Sequence, residues 1–372
     1  MQVPPLNLQA QFAGLRDQIM PALAAVIESQ QFLNGQPVRE LERLVAAHCG
    51  CAYGVGVSSG TDALLASLMA LGIGRGDEVI TTPFTFFAAA GGISRVGARP
   101  VFADIEPDTF NIDPAAVASA VTAKTRAVIP VHLYGQMAEM DAIMNIAKRH
   151  KLAVIEDTAQ AIGAAWGGAK ACSIGTVGCL SFYPTKNLGG FGDGGMILTQ
   201  DRNLADTLAI LRDHGQSPTY YYKRIGGNFR MDNINAAALV VKMPHLAAWT
   251  RRRRALAARY AALLADCPAV VTPKVRDGNE HVFNYYVIRA ARRDELHAFC
   301  RDNGVGTAIY YPLCLHQQEC FQELGCKTGD FPQAEKAAAE VLALPMYAEL
   351  TDQQVDYVAE TVKRFYARPV KA

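Results

Sequence analysis

From Tyr53 to Thr158 the chain repeats a single pattern, and that pattern narrows the possible folds more than any other feature. Short runs rich in Val and Ile, "YGVGVSS", "DEVITT", "PVFADI", "RAVIPVHLYG" and "LAVIEDT", alternate with Ala- and Leu-rich helical segments. In the first of these, "TDALLASLMALGI", Leu64, Leu68 and Leu71 fall on one helical face. The Val/Ile runs do not alternate with polar residues, as expected of strands buried on both faces. Alternating β and α units of this kind predict an α/β fold, a mostly parallel sheet wrapped by helices. "CLSFYP" and "GMILTQ" read as two further strands.

At 372 residues the chain exceeds one ordinary core, and a change of character near Asn233 suggests where it divides. A long Ala-rich helical region from Ile234 to Leu264 is interrupted at Pro244. Beyond it, "HVFNYYVIRA", a helix over Arg293–Asn303, "TAIYYP" and two terminal helices suggest a smaller α+β unit. The expected domains are 1–245 and 246–372. The run Arg251–Arg254, backed by Leu256, Tyr260 and Leu263, is expected to form a solvated or subunit-facing surface.

Composition excludes several function classes. A net charge of +1 creates no long-range field for nucleic acid or an anionic membrane. No secretory signal is visible at the N-terminus, and no apolar run reaches the roughly 20 residues that span a bilayer. Nine cysteines, an odd number without any C-x-x-C pair, fit free thiols in a reducing compartment. A cytoplasmic location is expected. Cys314, His316 and Cys320 lack the close pairing of usual zinc ligands, so no metal is expected.

The stretch "SFYPTKNLGGFGDGGMI" contains two competing signals. Gly190 to Gly195 spells G-x-G-x-x-G, the dinucleotide fingerprint, which needs a helix after the turn so that its N-terminus can face a pyrophosphate. Here a strand pattern comes next, and no acidic residue stands about 20 positions on. Lys186 is the other signal. A desolvated lysine at a strand end is a nucleophile for carbonyls, whereas a lysine snorkelling to the surface carries no chemistry.

The surroundings of Lys186 decide between those two. "VIEDTAQAIG" puts Asp157 and Gln160 at the sheet edge where open α/β folds bind ligands; the alternative is an Asp capping a following helix. "SSGTDAL" supplies a strand, a Gly turn and a Thr at a helix start, an anion cradle or an ordinary cap. "TTPFTFF" offers Phe86 as a flat face, or as a core aromatic. A lysine, a pyridinium partner, a phosphate cradle and a stacking ring together make the inventory of a pyridoxal 5'-phosphate (PLP) site.

"SSGTDALLASLMALGIGRGDEVITTPFTFFA", "PVHLYGQ", "VIEDTAQAIGA", "LSFYPTKNLGGFGDGG", "LRDHG", "GGNFRMDNINAA" and "LALPMY" succeed one another as in the DegT/DnrJ/EryC1/StrS family of nucleotide-sugar aminotransferases. The resemblance runs from about Leu8 to the last helix. It implies the type I fold of PLP enzymes, with a seven-stranded sheet, and a homodimer or larger assembly with shared active sites. Lys186 matches the lysine that carries the cofactor, Asp157 the acid at the pyridine nitrogen, and Gln160 the residue beside the ring hydroxyl. Gly60, Thr61 and Ser181 match the phosphate binders of one subunit, and Asn228 the asparagine that reaches the neighbour's cofactor phosphate. Phe86 matches the aromatic over the ring. Arg230, Tyr310 and Tyr311 fall where the nucleotide-sugar is held. Tyr310 stands where relatives often have His, Cys314 where Pro is common, and Asp193 where Glu is more frequent.

The activity so implied is transfer of an amino group, in two half-reactions, from L-glutamate or another amino acid to a nucleotide-linked keto-sugar. "YYYKRIGGNFRMDNINAA" looks closest to members that aminate the 3-keto position of UDP- or dTDP-hexoses or hexuronic acids. Amination of a 4-keto-6-deoxy sugar is the alternative, and a non-catalytic PLP-binding regulator is a more distant one.

Overall fold

The structure, a computed structural model, describes residues 1–368. Helices α1 (Leu8–Ser29) and α2 (Gln36–Cys49) precede β1 (Tyr53–Val57) and α3 (Gly60–Ala70). The next strands are β2 (Glu78–Thr81), β3 (Arg99–Phe102), β4 (Thr125–Ile129), β5 (Ala153–Asp157), the short β6 (Ala165–Trp166) and β7 (Ala169–Lys170), β8 (Val177–Ser181) and β9 (Gly195–Thr199). Seven of the nine form one sheet in the order β1-β9-β8-β5-β4-β2-β3. All neighbours run parallel except β9, which is antiparallel to both β1 and β8.

The Val/Ile runs are strands because both faces of the sheet are covered. Val79, Ile129 and Ile155 pack into one apolar cluster, while their neighbours Ile80, Val128 and Val154 pack into another on the opposite face. Pro130 ends the regular span of β4, and the chain stays beside β5 as far as Val131, which bridges Asp157. In α3, Leu65 is as buried as Leu64 and Leu68, so this helix lies between the sheet and other helices rather than at the surface.

The Ala-rich region forms a helix Asn233–Lys242, a 3-10 turn Met243–His245 at the proline, and a helix Leu246–Leu264. The remaining strands are β10 (Val270–Val271), β11 (Asn279–Glu280), β12 (Tyr286–Ala290) and β13 (Val341–Leu344). β10, β12 and β13 form an antiparallel sheet, backed by a cluster that includes Leu256, Tyr260, Ile288, Leu296 and Val358. "TAIYYP" contributes one bridge, Ala308 to Ala343, and not a full strand. The first residues of the chain cross to this cluster. Val3 is buried there, and its N–H donates to Gly304 O at 2.8 Å.

The arginine run departs from expectation. Only Arg251 of the four is exposed, and Arg253 is 4% exposed, donating to the carbonyls of Phe283, Asn284 and Met346. Burial pushes its guanidinium down to about 10. Arg252 bonds Leu350 O and Asp352, and Arg254 bonds His281 O and Glu280. The run staples the last third of the chain by satisfying carbonyls that no strand uses.

Candidate active site

The parallel strands all end at one edge of the sheet, where their loops converge. β5 ends in Asp157, β8 in Ser181, and β1 runs through Ser58 and Ser59 into Gly60. Between β1 and β8, Gly195 pairs in register with Val57 on one side and Ser181 on the other.

The glycines of the "GGFGDGG" stretch serve close approach rather than nucleotide binding. A Cβ on Gly190 would lie 2.0 Å from Asn235 Oδ1, and one on Gly195 would lie 2.4 Å from Ser59 O. Asn235 fills that space: its Oδ1 accepts from Phe191 N–H at 2.9 Å and its Nδ2 donates to Asp193 O at 2.7 Å. The turn runs directly into β9, so no helix follows these glycines in the chain as the dinucleotide fingerprint requires.

Lys186 stands on the turn that leads into them, five residues past β8 (186 − 181), its N–H donating to Tyr183 O at 2.9 Å. It is half-buried, which differs from the fully desolvated strand-end lysine expected from its apolar neighbours. The turn carries it off the strand toward the open edge.

Asp157 is 6% exposed and lies on β5, the strand paired with β8. Its main chain is held by the segment after β4: its N–H donates to Pro130 O and its C=O accepts from His132 N–H, each at 2.9 Å. Burial raises its carboxyl above the usual range; the Ala159 N–H bond to Oδ1 and the charge of Lys186 act the other way. The segment after Asp157 is a run of turns leading to β6, so there is no helix for this acid to cap. A buried carboxylate with one hydrogen bond among the described residues is suited to a cationic partner.

Behind Asp157 lies a network that sequence reasoning did not find. Glu156 is fully buried and accepts from Cys172 N–H, Ile174 N–H and Gly175 N–H, and it faces His132 Nε2 at 3.0 Å. His132 Nδ1 accepts from Ala138 N–H, so Nε2 carries the proton toward Glu156. Gln160, also buried, spans two loops: its Oε1 accepts from Tyr134 N–H at 2.7 Å and its Nε2 donates to Tyr311 OH at 3.1 Å. The Tyr134 hydroxyl in turn donates to Tyr310 O. Tyr310 packs on Tyr285 at 4.3 Å between ring centroids, and Tyr311 sits 6.4 Å from Phe86. Phe86 is 57% exposed, at the open edge and not in the core.

At the other side of the edge, Gly60 presses on Ser181, where a Cβ would come within 2.7 Å of Ser181 Cβ. Ser59, not Thr61, caps α3, accepting from Asp62 N–H at 3.0 Å. That leaves the Thr61 hydroxyl outside the cap at a helix N-terminus, where anions are favoured. A phosphate at Gly60, Thr61 and Ser181 and a protonated ring nitrogen at Asp157 are compatible with these residues.

Two expected residues are placed differently. Arg230 pairs with Val57 in an antiparallel bridge, but its guanidinium is bound to Asp213 of the same chain. Asn228 is exposed at the base of a hairpin that its bridge to Asp213 closes. Within one chain neither side chain joins Lys186 and Asp157.

The model of the DegT/DnrJ/EryC1/StrS aminotransferase family matches residues 14–363. This chain belongs to that family. It is 53% identical over 368 residues to a pleiotropic regulatory protein of Geobacillus stearothermophilus, covering 98% of this chain and 99% of that one. It is 42% identical over 362 residues to a UDP-N-acetyl-3-dehydro-alpha-D-glucosamine 3-aminotransferase of Acidithiobacillus ferrooxidans, covering 97% of each. Among solved structures, S. venezuelae DesV in complex with a ketimine intermediate matches with a TM-score of 0.97 at 39% identity, covering 99% of this chain and 100% of that one. Among the described residues, no helix is long and apolar enough to cross a membrane.

Proposed function

We propose that this aminotransferase uses PLP to move an amino group from glutamate to a nucleotide-linked keto-sugar, at C3 of a UDP- or dTDP-hexose or hexuronic acid. The observation that carries the reading is the pair on adjoining strands: Lys186 beyond β8, and on β5 a buried Asp157 with no helix to cap. The 3-keto preference is supported by the Acidithiobacillus relative, whose name places its amination there. On this reading the division into domains falls at 245/246, the enzyme works in the cytoplasm as a homodimer, and Asn228 crosses to the neighbour's phosphate site.

When bound, PLP supplies an electron sink for the carbanion at the donor's Cα. The rest is done by the chain. Asp157 keeps the ring nitrogen protonated, since burial makes an unpaired carboxylate there costly. Gln160, fixed by Tyr134 and Tyr311, would be the residue beside the ring hydroxyl. Gly60, Thr61 and Ser181 hold the phosphate, and Phe86 covers the ring. Lys186 Nζ takes the proton from the donor's Cα and, in the second half-reaction, delivers one to the sugar carbon that becomes the amine. Arg230, Tyr310 and Tyr311 border the sugar nucleotide.

The test is turnover of the PLP-loaded enzyme with glutamate and a panel of 3-keto and 4-keto UDP- and dTDP-sugars. Preference for a 3-keto substrate is expected. A 4-keto preference overturns the position, and no turnover by a protein that binds PLP at Lys186 favours a regulator, the role named for the Geobacillus relative.

A further inference from the structure

We propose that Lys242 is a positioning residue for Lys186, acting with Asn235 as a two-point clamp on the intervening turn. Lys242 ends the helix Asn233–Lys242 and is only 3% exposed. Its Nζ donates to Gly189 O at 2.6 Å and sits 4.7 Å from the centre of the Phe191 ring. Asn235, seven residues earlier (242 − 235) and so on the same helical face, holds the other end of the turn through Phe191 N–H and Asp193 O.

The turn has no slack of its own. Gly189 folds against Pro184, where a Cβ would lie 2.2 Å from the Pro184 carbonyl oxygen, and Gly190 N–H donates to Phe182 O at 2.8 Å. Asn187 Nδ2 is tied separately, reaching Val282 O at 3.3 Å. Burying an ammonium is costly: desolvation brings Lys242 down to about 8, with Glu349 the charge opposing that drop. Packing alone needs only an apolar side chain here, whereas fixing the Gly189 carbonyl needs a long donor. That carbonyl is three residues from Lys186, so it sets the plane from which the catalytic side chain rises.

The inference rests on the reading of Lys186 above, and the experiment separates the two. The apoprotein and its Lys242→Met and Phe191→Leu variants would be incubated with PLP, trapped with borohydride at timed intervals, and the label mapped by peptide mass. Steady-state kcat and KM and the unfolding midpoint would be measured alongside. Misplacement by about 1 Å can cost about 100-fold, so Lys242→Met is expected to slow both labelling of Lys186 and kcat by about 10- to 100-fold, with KM for the sugar within about twofold. Phe191→Leu, a half-exposed site where folding is safe, should slow both by a smaller factor in the same direction. Parental labelling rates in both variants overturn the clamp, even if the midpoint falls, as does a change confined to KM. If Lys242→Met does not fold, Phe191→Leu decides alone. Absence of label on Lys186 in the parent instead overturns the reading of Lys186 itself.

Discussion

The strand ends around Lys186 and the hairpin between Asp213 and Asn228 are built on opposite principles. At the strand ends polar groups are buried and paired: Glu156, Gln160 and Asn235 each bond two or more partners. On the hairpin, Tyr220, Tyr221 and Tyr222 are largely exposed, and Ile225 is 91% exposed. Lys223 and Arg224 between them are exposed as well, so the hairpin presents aromatic, cationic and apolar groups together to solvent. The strand-end groups are thus tied within one chain, whereas the hairpin side chains are exposed; on the proposed reading the hairpin meets the neighbouring subunit.

The largest effect is expected at the centre of the buried half. Lys186→Ala should lower transamination by at least about 1,000-fold, the scale of a lost acid–base group, while PLP still associates through its phosphate contacts. Activity near the parent's would remove Lys186 from the chemistry.

Next comes Asp157→Asn, which keeps shape and the Ala159 bond but loses the charge. A cost of about 2 to 5 kcal/mol in kcat/KM is expected. A rate within twofold of the parent would make this acid a structural turn residue.

The open half is tested by mixing chains. Asn228→Asp places a carboxylate at the proposed phosphate contact and should cost several kcal/mol there. Re-paired with Lys186→Ala chains, it should restore about a quarter of parental activity, because about half the dimers are mixed and half their sites sound. No recovery after exchange would mean that Asn228 serves its own chain.

Smaller again is a pH signature of the buried half. His281 precedes Val282, whose carbonyl holds Asn187 beside Lys186, and burial together with the charge of Arg254 lowers this histidine to about 3. Its folded value lies below its ordinary 6.5, so the unfolded chain binds the extra proton. Stability is therefore full above pH 6.5 and should fall by about 1.4 kcal/mol per unit as pH drops toward 3. Urea unfolding at pH 7, 6 and 5 would measure the slope, and His281→Phe, which preserves the ring stack on Phe283, should flatten it.

The smallest effect is expected on the returning arm of the hairpin. Ile225→Ser should change the unfolding free energy of the isolated chain by less than about 0.5 kcal/mol. A larger loss would show that this arm is packed against its own chain, and the contrast between the halves would fail.

How much was legible depends on the range of each interaction. The sheet could be read because burial on both faces imposes Val and Ile locally, at Val79–Ile80, Val128–Ile129 and Val154–Ile155. Asp157 and Gln160 could be placed because a strand end fixes where its last residues lie. The roles of Lys242, Asn235 and Tyr134 could not be read, since each bonds a group 26 to 53 positions away. The arginine run misled for the same reason. Charge suggests solvent, but the carbonyls of Phe283, Asn284 and Met346 that bury Arg253 come from distant loops.

The sequence by itself determined the layers, the edge of the sheet where the candidate site residues stand, and the residue types available there. Periodicity and strand-end position are properties of neighbouring residues, and they survive without coordinates. Only the tertiary structure decided that the glycine-rich turn exists for close approach to Asn235 and Ser59, that Asp157 has no helix to cap, and that Arg230 is already paired with Asp213. Each of those depends on which groups meet across long stretches of chain, and hydrogen bonds of about 3 Å are settled by packing, not by spacing along the sequence.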